Sequence, residues 1–451
     1  MIKTSAIFLF INYCLGKKVD MSMVVAKIDW RQLYNFASRQ ALLGFCFDGI
    51  ERLGKEYSEE LKQNPIGREL LMNWMGKAQQ IHRQNMKVNA VAGKLYSKFR
   101  EDGLRCCILK GQGNALMYPN AYSRNPGDID VWVNASREDI TEYAKRHFNL
   151  EDDIRFHHLE TSLDGVPVEL HFFPCTMNNP IYNARLQKWF KRNADLQCSN
   201  VVSLPDGIGE IAIPTTAFNV VYQLAHLYHH FFDEGIGMRQ IIDYFLVVND
   251  FSKNVFLDTD FSNHPVPLSK EGSTFSPSPS SSGSGDVTAP SRCSEPLRSK
   301  DGGPSKVSPD CAGWDRLAIE EDNSAGSTTA VTSSASTALD VVQRELKYLG
   351  LWKFAGAVMY VLKEVLGLSE DTMIVPVDEK RGRLLLAEIL DGGNFGRHFS
   401  KYGGFTHQSM GKKYFLKIWR NMHFVRYYPA EALCEPLFRT WHFFWRLKYK
   451  K

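Results

Sequence analysis

Asp128 and Asp130 stand two residues apart in Gly127-Asp128-Ile129-Asp130. In an extended strand that spacing projects both carboxylates from one face, while Ile129, Val131 and Val133 turn to the other. Two carboxylates held close together repel each other and are relieved by a divalent cation between them. Oxygen donors alone suit Mg2+ or Mn2+, not zinc. A third acid, Glu169, shares a strand face with His171 in Val168-Glu169-Leu170-His171-Phe172. If that strand neighbours the first, three carboxylates converge. Such a set can clamp the attacking and leaving oxygens of a phosphoryl transfer, and one member can take the proton of an attacking hydroxyl. Upstream, an apolar run ends in Lys110-Gly111-Gln112-Gly113, which offers phosphate oxygens a lysine, glycine backbone and a helix start. Taken singly, a D-x-D is common on solvated strand edges, the glycines mark an ordinary turn, and Glu169 is an exposed strand residue. The order of the pieces is more specific than any one of them.

These residues need elements to hold them. Residues 24–100 read as a helical segment, with apolar residues at helical spacing in ELLMNWMGKAQQIHRQNMKVNAVAGKLYSKF. The period then changes. LRCCILK is a strand, followed by a helix through Asn114–Met117; IDVWV (129–133) is a second strand, and Ser136 caps the helix after it. IRFHHLETSL and VPVELHFF form a hairpin about Asp164-Gly165. Residues 101–213 therefore read as a small α/β core with mixed strands, and 214–251 as a helical region. From 252 to 338 the composition collapses into SPSPSSSGSGD and NSAGSTTAVTSSASTA, relieved only by WDRLAIEED, which reads as a disordered insertion. Helices resume over 339–451. The expected class is α+β: a small mixed sheet flanked by helices, with the C-terminal helical part interrupted by the insertion.

The composition narrows the class. At 451 residues and 44% hydrophobic, the chain has material for two or three folded units. A net charge of +4 is too mild to announce a nucleic-acid binder, and no run approaches the length of a membrane span. Nine scattered cysteines without a C-x-x-C spacing argue for a reducing compartment, hence a cytoplasmic protein. Residues 1–23 read as an N-terminal extension preceding a start near Met21 or Met23. The competing reading is a weak export or anchoring signal, against which no A-x-A-like cleavage site follows.

The run Leu109-Lys110-Gly111, Tyr118-Pro119, Arg124 and Gly127-Asp128-Ile129-Asp130 resembles the uncharacterised nucleotidyltransferase family of the DNA polymerase β superfamily. Val168-Glu169-Leu170-His171 is similar to that family's later acidic strand, with Glu where Asp is more usual. The likeness continues through Ala225-His226, Arg239 and Asp243 to the closing YYPAEALCEPLFRTWHFFWRLK. The resemblance implies transfer of a nucleoside monophosphate from an NTP to a hydroxyl-bearing acceptor, with release of pyrophosphate. It implies Mg2+ (or Mn2+) on the D-x-D of Asp128 and Asp130. The residues themselves add Glu169, which completes the metal site or acts as general base, Lys110 with the backbone at Gly111 and Gly113 to steady the triphosphate, and Arg124 to offset developing charge. The loop departs from the wider superfamily, with Gly111-Gln112-Gly113 in place of Gly-Ser or Gly-Gly. Two other readings keep the same fold: a catalytically silent nucleotide- or partner-binding module, and a phosphotransferase.

Four further signals need structure. His226, His229 and His230 have a spacing that can bind zinc, but packing or cleft residues is the preferred reading because no thiolate partner exists. Arg239 and Asp243 read equally as a helix-surface pair or as cleft residues. Gly392–Gly396 reads as a structural loop, with phosphate contact the alternative. The basic, aromatic tail from Lys412 reads as a helix whose Trp441, Phe444 and Trp445 pack on the body, with membrane or RNA binding the alternative.

Overall fold

The computed structural model of the chain describes residues 2–148, 150–257, 330–399 and 409–449. One compact unit comprises residues 1–259 and 328–451; a separate segment, 260–327, lies outside the described residues. The expected insertion at 252–338 falls mostly outside them as well. At its two edges helix continues to Leu257 and begins again at Ala330, so the helical regions are longer than the composition suggested.

Six helices come first: α1 (Ile2–Cys14), α2 (Ser22–Val25), α3 (Trp30–Arg39), α4 (Leu43–Glu56), α5 (Ser58–Gln63) and the long α6 (Arg68–Glu101). The sheet follows, as β1 (Cys106–Leu109), α7 (Gly111–Ala115), β2 (Ile129–Val133), α8 (Arg137–His147), β3 (Leu150–Ile154), β4 (His158–Leu163) and β5 (Val166–His171). After α9 (Pro180–Ser199) a two-stranded ribbon forms from β6 (Val201–Ser203) and β7 (Glu210–Ala212). The rest is helical: α10 (Thr216–Asp233), α11 (Met238–Leu257), α12 (Ala330–Tyr348), α13 (Trp352–Leu366), α14 (Glu379–Gly392), α15 (Met410–Met422) and α16 (Pro429–Tyr449).

The five strands run in the order β1-β2-β5-β4-β3. β1 is antiparallel to β2, β2 parallel to β5, and β5 antiparallel to β4, so the sheet is mixed. Local chemistry sets much of this. Asp164 (φ 51°) and Gly165 (φ 71°) supply the two positive φ angles that a tight hairpin between β4 and β5 demands. The Ser136 hydroxyl accepts from the Asp139 N–H and starts α8.

Alternation gives the sheet two unlike faces. Val131, Val168, Leu170 and Leu159 join Val88, Leu95 and Phe99 of α6 and Ile140 of α8 in one buried apolar layer. Each such aliphatic side chain, removed from water, is worth about 1.5–3 kcal/mol. The opposite face carries Asp130, Trp132, Glu169 and His171. Trp132 stacks on Phe218 of α10 (ring centroids 6.0 Å apart) and meets Phe190 of α9 edge-on. An apolar floor on one side and an aromatic anchor on the other leave the acidic positions between them facing a cleft.

α1 is part of the helical body. Phe10 and Ile11 are fully buried, and the Asn12 amide donates to the Val365 carbonyl of α13 at 2.8 Å. No helix among the described residues is long and apolar enough to cross a membrane. At the other end, Trp441 and Trp445 of α16 pack edge-on against Phe156, as the sequence suggests. Phe444 does not join them: it is 63% exposed.

α16 is anchored by a buried acid. Glu431, 1% exposed, accepts the backbone N–H groups of Asn178 and Asn179 at 2.5 and 3.2 Å. Burial pushes its pKa from 4.5 up to about 7, against the pull of those N–H donors. The folded chain therefore holds this proton more tightly than the unfolded chain, and stability drains away as pH rises from about 4.5 to about 7. Thermal unfolding of wild type and Glu431→Gln at pH 5 and pH 8 checks this: the variant should gain on the wild type at the higher pH, and a difference independent of pH would contradict it.

Candidate active site

β2 and β5 lie side by side in parallel, with Asp130 opposite Glu169 and Trp132 opposite His171. The register makes the acids converge. On the far side, Asp130 is opposite Leu109, the last residue of β1, which delivers Lys110 to the same place. Lys110 has φ 51° and ψ −121°, a conformation that costs a non-glycine residue about 1–3 kcal/mol. In that conformation its Nζ lies 3.0 Å from Asp130 Oδ1 and 2.8 Å from His226 Nε2. His171 Nε2 sits 3.0 Å from Asp130 Oδ1 and 3.2 Å from Glu169 Oε2.

The electrostatics of the three acids diverge. Burial opposes ionisation of Asp130, yet Lys110 and His171 together hold its pKa well below the usual carboxylate range. Glu169 is likewise disfavoured by burial, but the His171 hydrogen bond draws it down to about 2. Asp128 sits at the exposed mouth of the cleft with no cation of its own. Crowding by protein, then by the Asp130 and Glu169 carboxylates, raises it to about 7. His171 is raised to about 9: burial works against its charge, but the two acids it bridges prevail. This is a site with one negative charge too many for its cations. Asp128, Asp130 and Glu169 fit a divalent cation on that ground, and ligand atoms of Asp130, Glu169 and His171 already lie within 4.8 Å of one another.

The cleft is lined by Lys110, Gly111, Arg124, Gly127, Asp128 and Asp130 from the sheet side. Gln223 and His226 of α10, Arg239, Gln240 and Asp243 of α11, and Phe395 close it. α7 is fixed to α10 by a reciprocal amide pair between Asn114 and Gln223, at 2.7 and 3.0 Å. The loop to β2 is fixed from α6, where the Asn85 amide donates to the carbonyls of Tyr122 and Arg124, both at 2.8 Å.

Two of the sequence-derived assignments change. Gly113 is not on the cleft. A Cβ there would come within 3.0 Å of Ile213, so glycine serves close packing of α7 at this position. Arg124 does line the cleft, but its guanidinium is committed: both Nε and Nη2 donate to Asp243, at 2.8 and 2.7 Å, and the Tyr118 hydroxyl donates to the same carboxylate at 2.7 Å. Of the two readings held equally for Arg239 and Asp243, the cleft one holds: both line the cleft, and Asp243 pairs with Arg124 and not with Arg239. Arg239 is buried instead, its Nη1 donating to the Asn125 carbonyl at 3.0 Å and its Nε without a partner.

Sequence reasoning passed over Phe395 and His158. Phe395, inside the Gly392–Gly396 loop, holds φ 54° and faces both Arg239 (5.5 Å to the ring centroid) and His230 (5.3 Å). Its cleft position depends on the chain folding back onto α10 and α11 from far along the sequence, which no local pattern reveals. His158 pairs with His171 in register, and the His157-His158 doublet at the start of β4 was the available signal.

Arg124 and Asp243 are both nearly inaccessible, at 5% and 6%. Removing one charge of such a pair strands the other, at a cost of about 3–5 kcal/mol. Denaturant unfolding of Asp243→Asn should show a loss of that order; a loss below about 1 kcal/mol, the scale of an exposed pair, would contradict the assignment.

No curated protein matches the chain. One solved structure, of an antigenic nucleotidyltransferase-like protein from Paracoccidioides brasiliensis, shares 16% sequence identity over 36% of this chain and 75% of its own, with a TM-score of 0.24. At that score the likeness carries no argument. A family model described as uncharacterised nucleotidyltransferase matches residues 26–261, just over half of the chain. That span takes in the whole sheet, α10 and α11, and the chain belongs to the uncharacterised nucleotidyltransferase family.

Proposed function

We propose that the chain is a divalent-metal-dependent enzyme that moves a nucleoside monophosphate from an NTP to a hydroxyl-bearing acceptor. The observation that carries this reading is the register of Asp130 against Glu169 with Asp128 crowded beside them. Asp128, Asp130 and Glu169 would hold Mg2+ or Mn2+, which supplies charge neutralisation of the triphosphate and of the leaving pyrophosphate when bound.

The chain's own groups divide the remaining work. Lys110 is placed to exchange Asp130 for phosphate oxygens once that carboxylate has another partner. Gly111, where the backbone enters the cleft, lets phosphate approach without a side chain in the way. Arg239 is the buried cation on the cleft best fitted to face the triphosphate, since Arg124 is already neutralised by Asp243. Arg124 fixes the cleft wall by joining the loop before β2 to α11. The acceptor oxygen bonds to the α-phosphorus as the bond to the bridging oxygen breaks and pyrophosphate departs. Glu169 completes the metal site or, in the alternative role, takes the hydroxyl proton once a metal has displaced His171 from it.

A catalytically silent nucleotide-binding module and a γ-phosphoryl transferase would use the same face. The products separate the catalytic pair: pyrophosphate with an NMP-modified acceptor, or NDP with a phosphorylated one.

Calorimetric titration with each of the four NTPs, with and without Mg2+, tests the reading. Mg2+-dependent binding of at least one NTP is expected, weakened by more than about tenfold in Asp128→Asn and in Asp130→Asn, as for loss of interactions worth above about 1.4 kcal/mol. NTP affinity indifferent to Mg2+ and to both substitutions would overturn it.

A further inference from the structure

We infer that His157, His158 and His171 form a second cation site beside the carboxylates, one that takes Zn2+ through imidazole nitrogen. This goes beyond the nucleotidyl-transfer reading and does not need it. His158 and His171 are register partners across β4 and β5, and His157 is held next to them by its carbonyl, which accepts from Phe172 N–H at 2.9 Å. The three rings form a triangle, with centroids 4.3, 5.0 and 5.6 Å apart. One nitrogen from each lies within 4.8 Å of the others.

Burial and hydrogen bonding point the same way. His158 and His171 are 4% and 2% exposed, and the Nδ1 of each is buried without a hydrogen-bond partner. His158 Nδ1 is 3.1 Å from Glu169 Oε2, outside hydrogen-bond alignment. A buried polar nitrogen left unpaired is unfavourable, and two in one triangle ask for a shared partner.

His171 has its Nε2 engaged by Asp130 and Glu169, so Nδ1 is the nitrogen left for an ion, which on binding would displace the proton that the two acids keep on this ring. A carboxylate on one imidazole nitrogen and an ion on the other is the usual way a protein orients a metal-binding histidine. Glu160, 3.4 Å from His158 Nε2, supports the second ring in the same manner.

The ligand chemistry selects the ion. Three imidazoles suit Zn2+ and its neighbours, whereas Mg2+ prefers the oxygen set on Asp128 and Asp130. Three ligands leave a fourth position open to water or to Glu169. An ion here would also fix His171, and through it the two acids His171 bridges.

The test uses the full chain, stripped with chelator and dialysed against Zn2+ or Co2+. Wild type should retain one equivalent of Zn2+, and Asp128→Asn, which removes an oxygen donor but no imidazole, should retain it too. His157→Gln and His158→Gln should each weaken retention by more than about tenfold, the loss already seen when only a supporting hydrogen bond is removed. X-ray absorption on the wild-type zinc form, independent of how the variants fold, should show an imidazole shell. An oxygen-only shell, no retained zinc, or retention unchanged in both histidine variants would overturn the inference.

Discussion

Like-charge repulsion on one face of a small sheet is the constraint on which the rest of this structure depends. Asp130 and Glu169 are forced together by strand register, and Asp128 follows from the alternation of β2. Left alone, such a trio would favour the unfolded chain. Lys110 and His171 supply the compensating contacts at Asp130, and His171 also serves Glu169. The residual conflict falls on Asp128, whose carboxyl titrates near 7. The site is thereby primed for a cation: the protein holds the acids close, and only part of their charge is balanced internally.

The helices make that arrangement rigid. α6 and α8 bury the apolar side of the sheet, so its acidic side cannot turn away. α10 brings His226 to Lys110, and α11 brings Asp243 to Arg124. The buried Arg124–Asp243 pair does for the cleft wall what Lys110–Asp130 does for its floor, with one difference. On the proposed function Lys110 would leave Asp130 for a phosphate when a metal replaces it, whereas Arg124 is held by two hydrogen bonds to Asp243. The strained backbone at Lys110 and Phe395, both on the cleft, fits a scaffold that spends stability to aim particular side chains.

Much of the floor was legible in the sequence because it depends on local rules. D-x-D on a strand, Glu169 two residues from His171, and Asp164-Gly165 as a hairpin turn all follow from period-two alternation and turn chemistry. The pairing of β2 with β5 was a conditional expectation that register satisfies. What stayed hidden depends on contacts distant in sequence. Asp243 answers to Arg124 and not to Arg239 four residues before it, because the loop before β2 reaches α11. Gly113 looks like a phosphate-loop glycine until Ile213 occupies the space beside it. β3, in LEDDI, shows no apolar alternation and is held by backbone pairing to β4. Phe395 enters the cleft only through the return of the C-terminal helices.

On the proposed function, Lys110 holds the place of a metal on Asp130 and exchanges that carboxylate for phosphate. The most direct measurement is a crystal structure with Mn2+ and a non-hydrolysable NTP, read from the anomalous signal of manganese. The expected result is a manganese peak in contact with carboxylate oxygens of both Asp128 and Asp130, with Lys110 Nζ moved from Asp130 to a phosphate oxygen. Bound nucleotide with Lys110 still on Asp130, and no manganese at the acids, would contradict it.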